Sequence, residues 1–176
     1  MANGLHDAIP AWVDGTLVPV GKLEVHQRGL RHPAVSVFVL NRGRTLLQQR
    51  AAGKYHTPGL WANSCCTHPL WGEDPKACAI RRLREELGIT GLTVDFAEQT
   101  EYRADVGGGL TEHEVVDIFI AHAPDDLVLS PDPAEVMATE WVDRGALVQA
   151  LANDAARFTP WLKVYMADHA DRVFPA

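Results

Sequence analysis

The sequence predicts a single α/β domain in which helices pack on a mixed β-sheet. A chain of 176 residues is long enough for one domain with a hydrophobic core. Its composition, 47% hydrophobic and 22% charged residues, is that of an ordinary globular protein. Apolar runs alternate with segments that carry helix signals, and no repeat or low-complexity linker divides them. Strands that precede and flank helices in this way favour a mixed sheet covered by helices.

Four apolar runs bounded by Gly, Asn and Asp predict the strands. They are 34–41 (AVSVFVLN), 45–50 (TLLQQR), 92–103 and 114–121 (EVVDIFIA). Three helices are expected besides. Asp74 is a favourable N-cap for the first, Pro75 suits its opening turn, and Gly88 terminates it. The second and third are expected near 143–153 and 159–170.

Charge and cysteine content exclude several classes of protein. A formal net charge of -7 argues against nucleic acid or an anionic membrane as the main partner. No apolar run approaches the ~20 residues of a membrane span. The first residues, MANGLHDAIPAW, lack the basic start and apolar stretch of a signal peptide. The three cysteines cannot all pair, and adjacent Cys65 and Cys66 are poorly placed to pair together, so a reducing cytoplasm is expected.

The stretch WANSCCTHP, residues 61–69, places these two thiols just before His68. A structural zinc site usually supplies two pairs of ligands, whereas the remaining cysteine, Cys78, falls inside the predicted first helix without a partner. The residues alone leave three interpretations open: a zinc site, an inert buried thiol pair, and a thiol that performs chemistry.

The next segment, GEDPKACAIRRLREELGI, has the spacing of the Nudix box, G-x5-E-x7-R-E-U-x-E-E-x-G-U, which presents carboxylates to metals bound to a diphosphate. Two positions depart from it, because Thr67 stands for the leading glycine and Arg82 for the glutamate after the first arginine. The matching residues are Glu73, Arg81, Glu85, Glu86, Gly88 and Ile89.

An alternative interpretation of the same segment is a solvated helix with ion pairs four residues apart, Arg81–Glu85 and Arg82–Glu86. Either interpretation gives an amphipathic helix. Its apolar stripe is expected to consist of Ala77, Ile80, Leu83 and Leu87.

Arg82 favours a protein that binds a diphosphate without cutting it, because it removes a metal ligand and adds a cation suited to a phosphate oxygen. From Gly21 to Trp161 the chain resembles the type I isopentenyl-diphosphate isomerases of the Nudix superfamily. The motifs that carry the resemblance are GLWANSCCTHP, the modified box, EYRAD (101–105), TEHEV (111–115), PDPAEVMATEWV (131–142) and FTPW (158–161).

The resemblance implies a Nudix-type α/β/α sandwich over residues 1–176, with a core at about 32–162. It also implies conversion of isopentenyl diphosphate to dimethylallyl diphosphate through a tertiary carbocation. A Nudix hydrolase acting on a diphosphate is the alternative, and a non-catalytic module that binds a diphosphate or a metal is a third reading. The expected partner is thus a small prenyl diphosphate, with the oligomeric state open.

By the same resemblance, Cys66 and Glu114 are the opposed acid and base, and Tyr102 assists Glu114. We assign protonation to Glu114 with Tyr102 and deprotonation to Cys66. Cys65, at a position that varies in the family pattern, is expected to serve packing.

The resemblance further implies one divalent metal, Zn²⁺, Mn²⁺ or Mg²⁺, held by imidazoles and carboxylates. Glu112 and Glu114 point to the same face of a predicted strand and are expected to be buried, although an exposed strand edge is the alternative. The full set of expected ligands is His26, His32, His68, Glu112 and Glu114.

The diphosphate is expected to bind Arg50, Lys54 and Arg82, with Glu86 helping to hold a bridging Mg²⁺. Lys22 is the candidate for a family lysine whose position falls closest to Val25. The π-face of Trp161 is expected to stabilise the carbocation, and Trp61 to line the same pocket.

Overall fold

The computed structural model describes residues 7–174 and consists of strands and helices in irregular alternation. In that range the strands are β1 (Ala8–Val13), β2 (Thr16–Gly21), β3 (Arg31–Asn41), β4 (Arg44–Arg50), β5 (Trp61–Ala62), β6 (Cys65–Thr67), β7 (Val94–Gly107), β8 (Leu110–His122) and β9 (Val136–Asp143). The helices are α1 (Lys22–Arg28), α2 (Pro75–Leu87), α3 (Arg144–Asn153), α4 (Pro160–Asp168) and α5 (Ala170–Val173), with a 3-10 turn at Ala155–Arg157.

A seven-stranded mixed sheet organises the molecule. Its main path runs β5-β4-β3-β8-β7, with β6 added to β3 and β9 added to β4. The pair β3–β8 is parallel, and the other pairs of this sheet are antiparallel. A separate antiparallel hairpin, β1–β2, stands beside it. The predicted mixed sheet is therefore confirmed.

Alternate residues of β3 supply two hydrophobic cores on opposite faces of this sheet. Val35, Val37 and Val39 pack in the core that contains the buried residues of α2. Phe38 and Leu40 belong to the other core, which contains the buried residues of α4. Each fully buried side chain of this size stabilises the fold by roughly 1.5–3 kcal/mol. The sheet thus lies between helices on both faces, the α/β/α arrangement predicted from the resemblance.

Helix α2 has the predicted bounds. The Asp74 carboxylate accepts a hydrogen bond from the Ala77 N–H at 3.0 Å, which satisfies one free donor of the first turn. Gly88 ends the helix with φ 68°, in the left-handed region. A Cβ at Gly88 would also lie 2.7 Å from Ser130 Cβ. Any other residue there would therefore suffer both an unfavourable backbone conformation and a steric clash.

The predicted apolar stripe of α2 is half wrong. Leu83 and Leu87 are buried as expected, but Ala77 is exposed and Ile80 is 45% exposed. The buried face instead includes Cys78, Ala79 and Glu86. A carboxylate thus occupies a position on the face toward the sheet, and hydropathy assigns such a residue to solvent.

Several short elements lack a clear sequence signal. Strands β5 and β6 have two and three residues, and β9 is largely half-exposed. The strand predicted at 114–121 is longer in the structure, where β8 begins at Leu110. The sequence did not indicate this start because the buried Glu112 interrupts the apolar pattern. The predicted last helix breaks at His169 into α4 and α5.

None of the helices in residues 7–174 has the length and apolar character required to cross a membrane.

Candidate active site

A pocket opens where the loops after β4 and β6 meet β8 and α4. It contains most of the residues that the sequence singles out. Its lining is Lys22, Arg50, Lys54, Tyr55, His56, Cys66, Thr67, His68, Arg82, Glu112, Glu114 and Trp161. Tyr55 and His56 in this lining were not predicted.

Four side chains, of which His68 and Glu114 line this pocket, form a group with the spacing of a metal site. Each offers one ligand atom, and these atoms lie within 4.8 Å of one another. The members are His26, His32, His68 and Glu114, all buried. Glu114 Oε1 lies 2.9 Å from His68 Nε2 and 3.6 Å from His32 Nε2. Four separate parts of the chain, α1, β3, the loop after β6, and β8, meet here.

Backbone carbonyls fix two of these imidazoles in one tautomer. His26 Nδ1 lies 2.7 Å from the Lys22 carbonyl, and His32 Nδ1 lies 2.7 Å from the Leu30 carbonyl. Because a carbonyl only accepts, each Nδ1 carries the proton and each Nε2 keeps its lone pair for a metal. Burial lowers the pKa of His26 to about 4, so the ring is neutral.

His32 Nε2 supplies a test of whether the group suits a cation. The atom is buried and has no hydrogen-bond partner among the described residues. An unsatisfied buried acceptor is costly, and two buried carboxylates beside it are costlier still. A divalent metal satisfies both requirements, so the residues present fit such an ion.

The short connection after α1 delivers His26 to this group. Gly29 takes φ 59°, which ends α1 in the left-handed conformation and turns the chain at once into β3. Its Cα packs against Thr111, so that a Cβ would lie 3.3 Å from Thr111 Cβ. This sharp reversal brings His26 beside His32, with the two ring centroids 5.0 Å apart.

Glu112 is buried beside Glu114, at 3% and 5% exposure, so the alternative of an exposed strand edge is excluded. Its carboxylate belongs to a second group, with His26 and His56. Glu112 Oε1 lies 3.5 Å from His56 Nε2. The expected five ligands therefore fall into two overlapping groups that share His26.

Tyr102 links the two carboxylates. Its hydroxyl oxygen lies 2.8 Å from Glu112 Oε2 and 2.7 Å from Glu114 Oε2. A phenol carries one proton, so a carboxyl proton must complete the second hydrogen bond. Burial and the charge of Glu114 raise the pKa of Glu112, whereas the adjacent imidazoles of His32 and His68 outweigh the effect of burial on Glu114 and lower its pKa. Glu112 is therefore the protonated member, and Tyr102 donates to Glu114.

The two adjacent thiols point to opposite sides of the sheet, as successive residues of β6 must. Cys65 is fully buried in the core beneath α2. Cys66 Sγ instead faces the pocket and donates to Asn63 Oδ1 at 2.9 Å, with Ser36 Oγ at 3.1 Å. Burial raises the pKa of Cys66, which keeps it a thiol. Both cysteines and Cys78 are free, and neither metal group among residues 7–174 contains a cysteine.

Cationic side chains line the outer part of the pocket. The Arg50 Nε and terminal nitrogen donate to the carbonyls of Thr57 and His56, at 3.2 and 3.1 Å. Burial, with Lys54 and Arg82 nearby, lowers the pKa of Lys22 to about 8. Lys54 and Arg82 are paired with Glu135, whereas Lys22 and Arg50 form no ion pair within residues 7–174 and leave positive charge for an anion.

Several known proteins are similar to this chain. Residues 30–162 match the NUDIX domain family. An isopentenyl-diphosphate Delta-isomerase of Cereibacter sphaeroides is 65% identical over 168 residues, which cover 96% of this chain and 95% of that protein. A protein of the same name from Dinoroseobacter shibae is 61% identical over 170 residues, 97% of each chain. The chain belongs to the isopentenyl-diphosphate Delta-isomerase family.

The fold of this isomerase-family chain also resembles a solved structure. The crystal structure of DR0079 from Deinococcus radiodurans aligns with a TM-score of 0.72, at 14% identity, over 92% of this chain and 99% of that chain. At such low identity the likeness concerns the fold alone. The two chains share one arrangement of sheet and helices.

Ion pairs connect the charges of the Nudix box in this isomerase-family chain, and Glu85 lies 3.0 Å from both Arg81 and Arg82. Arg81 binds both oxygens of Glu73, at 2.6 and 2.8 Å, and fixes the loop before α2. Arg82 lies 2.6 Å from Glu86 Oε1 and 3.3 Å from Glu135 Oε1, and Lys54 pairs with Glu135 as well. The predicted ion pairs of the helix are therefore present, together with a link to the pocket.

Of two tryptophans in the isomerase-family motifs, Trp161 lines the pocket and Trp61 does not. Trp161, 2% exposed, lines the pocket at the start of α4, where the Arg50 guanidinium lies 5.2 Å from its ring centroid. Trp61 lies outside the pocket lining, in a neighbouring cleft with Gln49 and Asp154. Its carbonyl accepts from the Thr159 N–H at 2.9 Å, which ties β5 to the start of α4.

Proposed function

We propose that this protein converts isopentenyl diphosphate to dimethylallyl diphosphate. The observation that carries the proposal is the presence of one thiol, Cys66, and one carboxylate, Glu114, in a buried pocket rimmed by cations. The relatives that match nearly the whole chain carry the name of this activity. The free cysteines of the chain support a cytoplasmic setting, where thiols stay reduced.

The reaction requires a proton added at C4 of the substrate and a proton removed from C2. Because an unactivated alkene is a poor base, the path passes through a tertiary carbocation. The site must therefore present an acid and a base and exclude water from the cation. Glu112 and Glu114 are almost fully buried, and the half-buried Cys66 packs against the apolar core.

Glu114 is the group we assign to protonation. To act as the acid, Glu114 must first receive a proton. Tyr102, whose hydroxyl donates to Glu114 Oε2 at 2.7 Å, passes that proton to Glu114 and is itself re-protonated through its second hydrogen bond, on the side of Glu112. We assign removal of the C2 proton to Cys66 as its thiolate, so the thiol must lose its own proton before it accepts the one from C2. Its contact with Ser36 Oγ supports that role, because a hydroxyl donor stabilises the negative charge of the thiolate.

The metal centre consists of the two groups described above, with His26, His32, His68, Glu112 and Glu114 as ligands. A bound divalent ion, Zn²⁺, Mn²⁺ or Mg²⁺, would displace the carboxyl proton of Glu112 and supply the positive charge that neutralises both buried carboxylates. The carbonyl contacts of His26 and His32 hold these rings ready to coordinate.

The diphosphate binds the cations at the rim of the pocket, Arg50, Lys54, Arg82 and Lys22. Glu86, 4% exposed, helps to hold the Mg²⁺ that accompanies the substrate. The ring of Trp161 already faces the Arg50 guanidinium, and we assign it to stabilising the carbocation. Trp61 supports that wall of the pocket from behind through the β5–α4 contact.

Product analysis tests the proposal. The protein is incubated with isopentenyl diphosphate and Mg²⁺, and dimethylallyl diphosphate and free phosphate are both measured. We expect the isomer and no phosphate release, with Glu114→Gln inactive and Glu140→Gln, a substitution at an exposed carboxylate on β9, fully active. Phosphate without the isomer would instead identify a Nudix hydrolase.

A further inference from the structure

His56 lies in the loop between β4 and β5 and was not among the predicted site residues. Its side chain is 4% exposed, at the inner wall of the pocket. The imidazole stacks on that of His26, with ring centroids 5.5 Å apart and planes inclined by 26°. The ligand atoms of His26, His56 and Glu112 all lie within 4.8 Å of one another. A buried imidazole thus stands beside a residue of the metal centre.

The loop holds this ring in one orientation. His56 Nδ1 lies 3.0 Å from Thr57 Oγ1, so that Nε2 is the atom directed at Glu112. Thr57 has φ 46°, a left-handed conformation that a β-branched residue rarely adopts, and it precedes Pro58. Such backbone strain persists where surrounding contacts over-determine it. Here the contacts include the two hydrogen bonds from Arg50 to the loop carbonyls.

We propose that His56 is a fourth imidazole donor of the metal centre, and that it binds the ion together with His26 and Glu112. The inference rests on the metal centre of the proposed function and extends it by one ligand. His26 belongs to both ligand groups, so an ion bound at His26 has His56 within the same cluster of donors. An additional imidazole favours transition metals such as Zn²⁺ over Mg²⁺, which prefers oxygen.

Nitrogen NMR on the wild-type protein tests this directly. Histidines are labelled with ¹⁵N, and long-range ¹H–¹⁵N spectra are recorded for the metal-free protein and after addition of one equivalent of Zn²⁺. We expect the Nε2 resonance of His56 to shift together with those of His26, His32 and His68. Movement of the latter three without His56 would overturn this inference and leave the metal centre intact. No movement of any of the four would overturn the metal centre itself.

An affinity measurement supplies the second test. His56→Ala keeps the carbonyl that binds Arg50, so the loop contact survives the substitution. We expect its Zn²⁺ affinity, measured by competition with a chromophoric chelator, to fall about 10-fold or more, the usual scale for a metal site that loses a contact. His122→Ala, at the exposed end of β8, is the control and should match wild type. Equal affinity in His56→Ala and His122→Ala, with unchanged far-ultraviolet circular dichroism, would contradict the proposal.

Discussion

His32 lies directly opposite Glu114 in the parallel pair formed by β3 and β8, and its Nε2 is 3.6 Å from Glu114 Oε1. Neither strand could place these atoms together alone, because the two residues are far apart in sequence. A shift of the register by one residue would turn one of them to the other face of the sheet. The pairing of these two strands therefore determines whether the site exists.

The two thiols of β6 should differ sharply in function. We expect Cys66→Ala to abolish isomerisation while diphosphate binding is retained, because Cys66 faces the pocket. Cys65→Ala should keep substantial activity but lose about 1–2 kcal/mol of stability, since its side chain fills the core below α2. Turnover assays and thermal melts of the two variants separate these roles. Normal turnover by Cys66→Ala would show that the thiol performs no chemistry.

Arg82 should contribute to substrate binding. In the absence of substrate it is held by Glu86 and Glu135 with its guanidinium at the pocket. Charge-assisted hydrogen bonds are each worth roughly 1.5–3 kcal/mol, so Arg82→Met should raise KM about 10- to 100-fold. Arg84→Met, at an exposed position of the same helix, is the matched control. A KM unchanged in both variants would place the diphosphate elsewhere.

Stability should depend on pH through the Nudix loop. Hydrogen bonds from Arg81 hold the pKa of Glu73 below its ordinary value. As pH falls below about 4.5, Glu73 therefore binds a proton more readily in the unfolded chain than in the folded protein. The ion pair thus stabilises the fold above that pH, and its contribution to stability is lost in acid. Glu73→Gln should lower the Tm by about 2–4 °C at pH 7.

The Tm difference between Glu73→Gln and wild type should narrow as pH falls below 4, as measured by calorimetry on the metal-free proteins. Glu140→Gln serves as the control for loss of an exposed charge. A difference that stays constant from pH 7 to pH 3 would mean that the ion pair is not its source.

Loss of His26 should weaken metal binding without unfolding the domain, because the remaining donors come from other elements. His26→Ala should retain less Zn²⁺ after dialysis than wild type and should recover activity in excess divalent ion. His122→Ala is the control, while His6 lies outside the residues that the structure describes. Metal content equal to wild type in His26→Ala would remove this residue from the centre.

The sequence predicts the parts of this protein that local rules control. Helix α2 has its predicted bounds because Asp74, Pro75 and Gly88 act on their immediate neighbours. The four long strands follow from their apolar runs. The motif matches also identify most of the residues that line the pocket, because the resemblance carries information about distant contacts that composition lacks.

What the sequence does not predict depends on contacts between distant segments. His56 lies in a loop without periodicity, and its position follows from the Thr57 conformation and the contacts of Arg50. The buried face of α2 was misjudged because Glu86 turns toward the sheet, where it accepts a hydrogen bond from Gln48 at 2.9 Å. Buried charge at a functional site violates the hydropathy rule on which such predictions depend.

Deuterium incorporation tests the central claim, that a proton is added to and removed from the prenyl chain while the diphosphate stays intact. Isopentenyl diphosphate is incubated with the protein and Mg²⁺ in D₂O, and the product is examined by NMR and mass spectrometry. Since Glu114 is re-protonated from exchangeable groups, we predict dimethylallyl diphosphate with deuterium in its new methyl group. Cleavage of the diphosphate, or an isomer formed without deuterium, would contradict it.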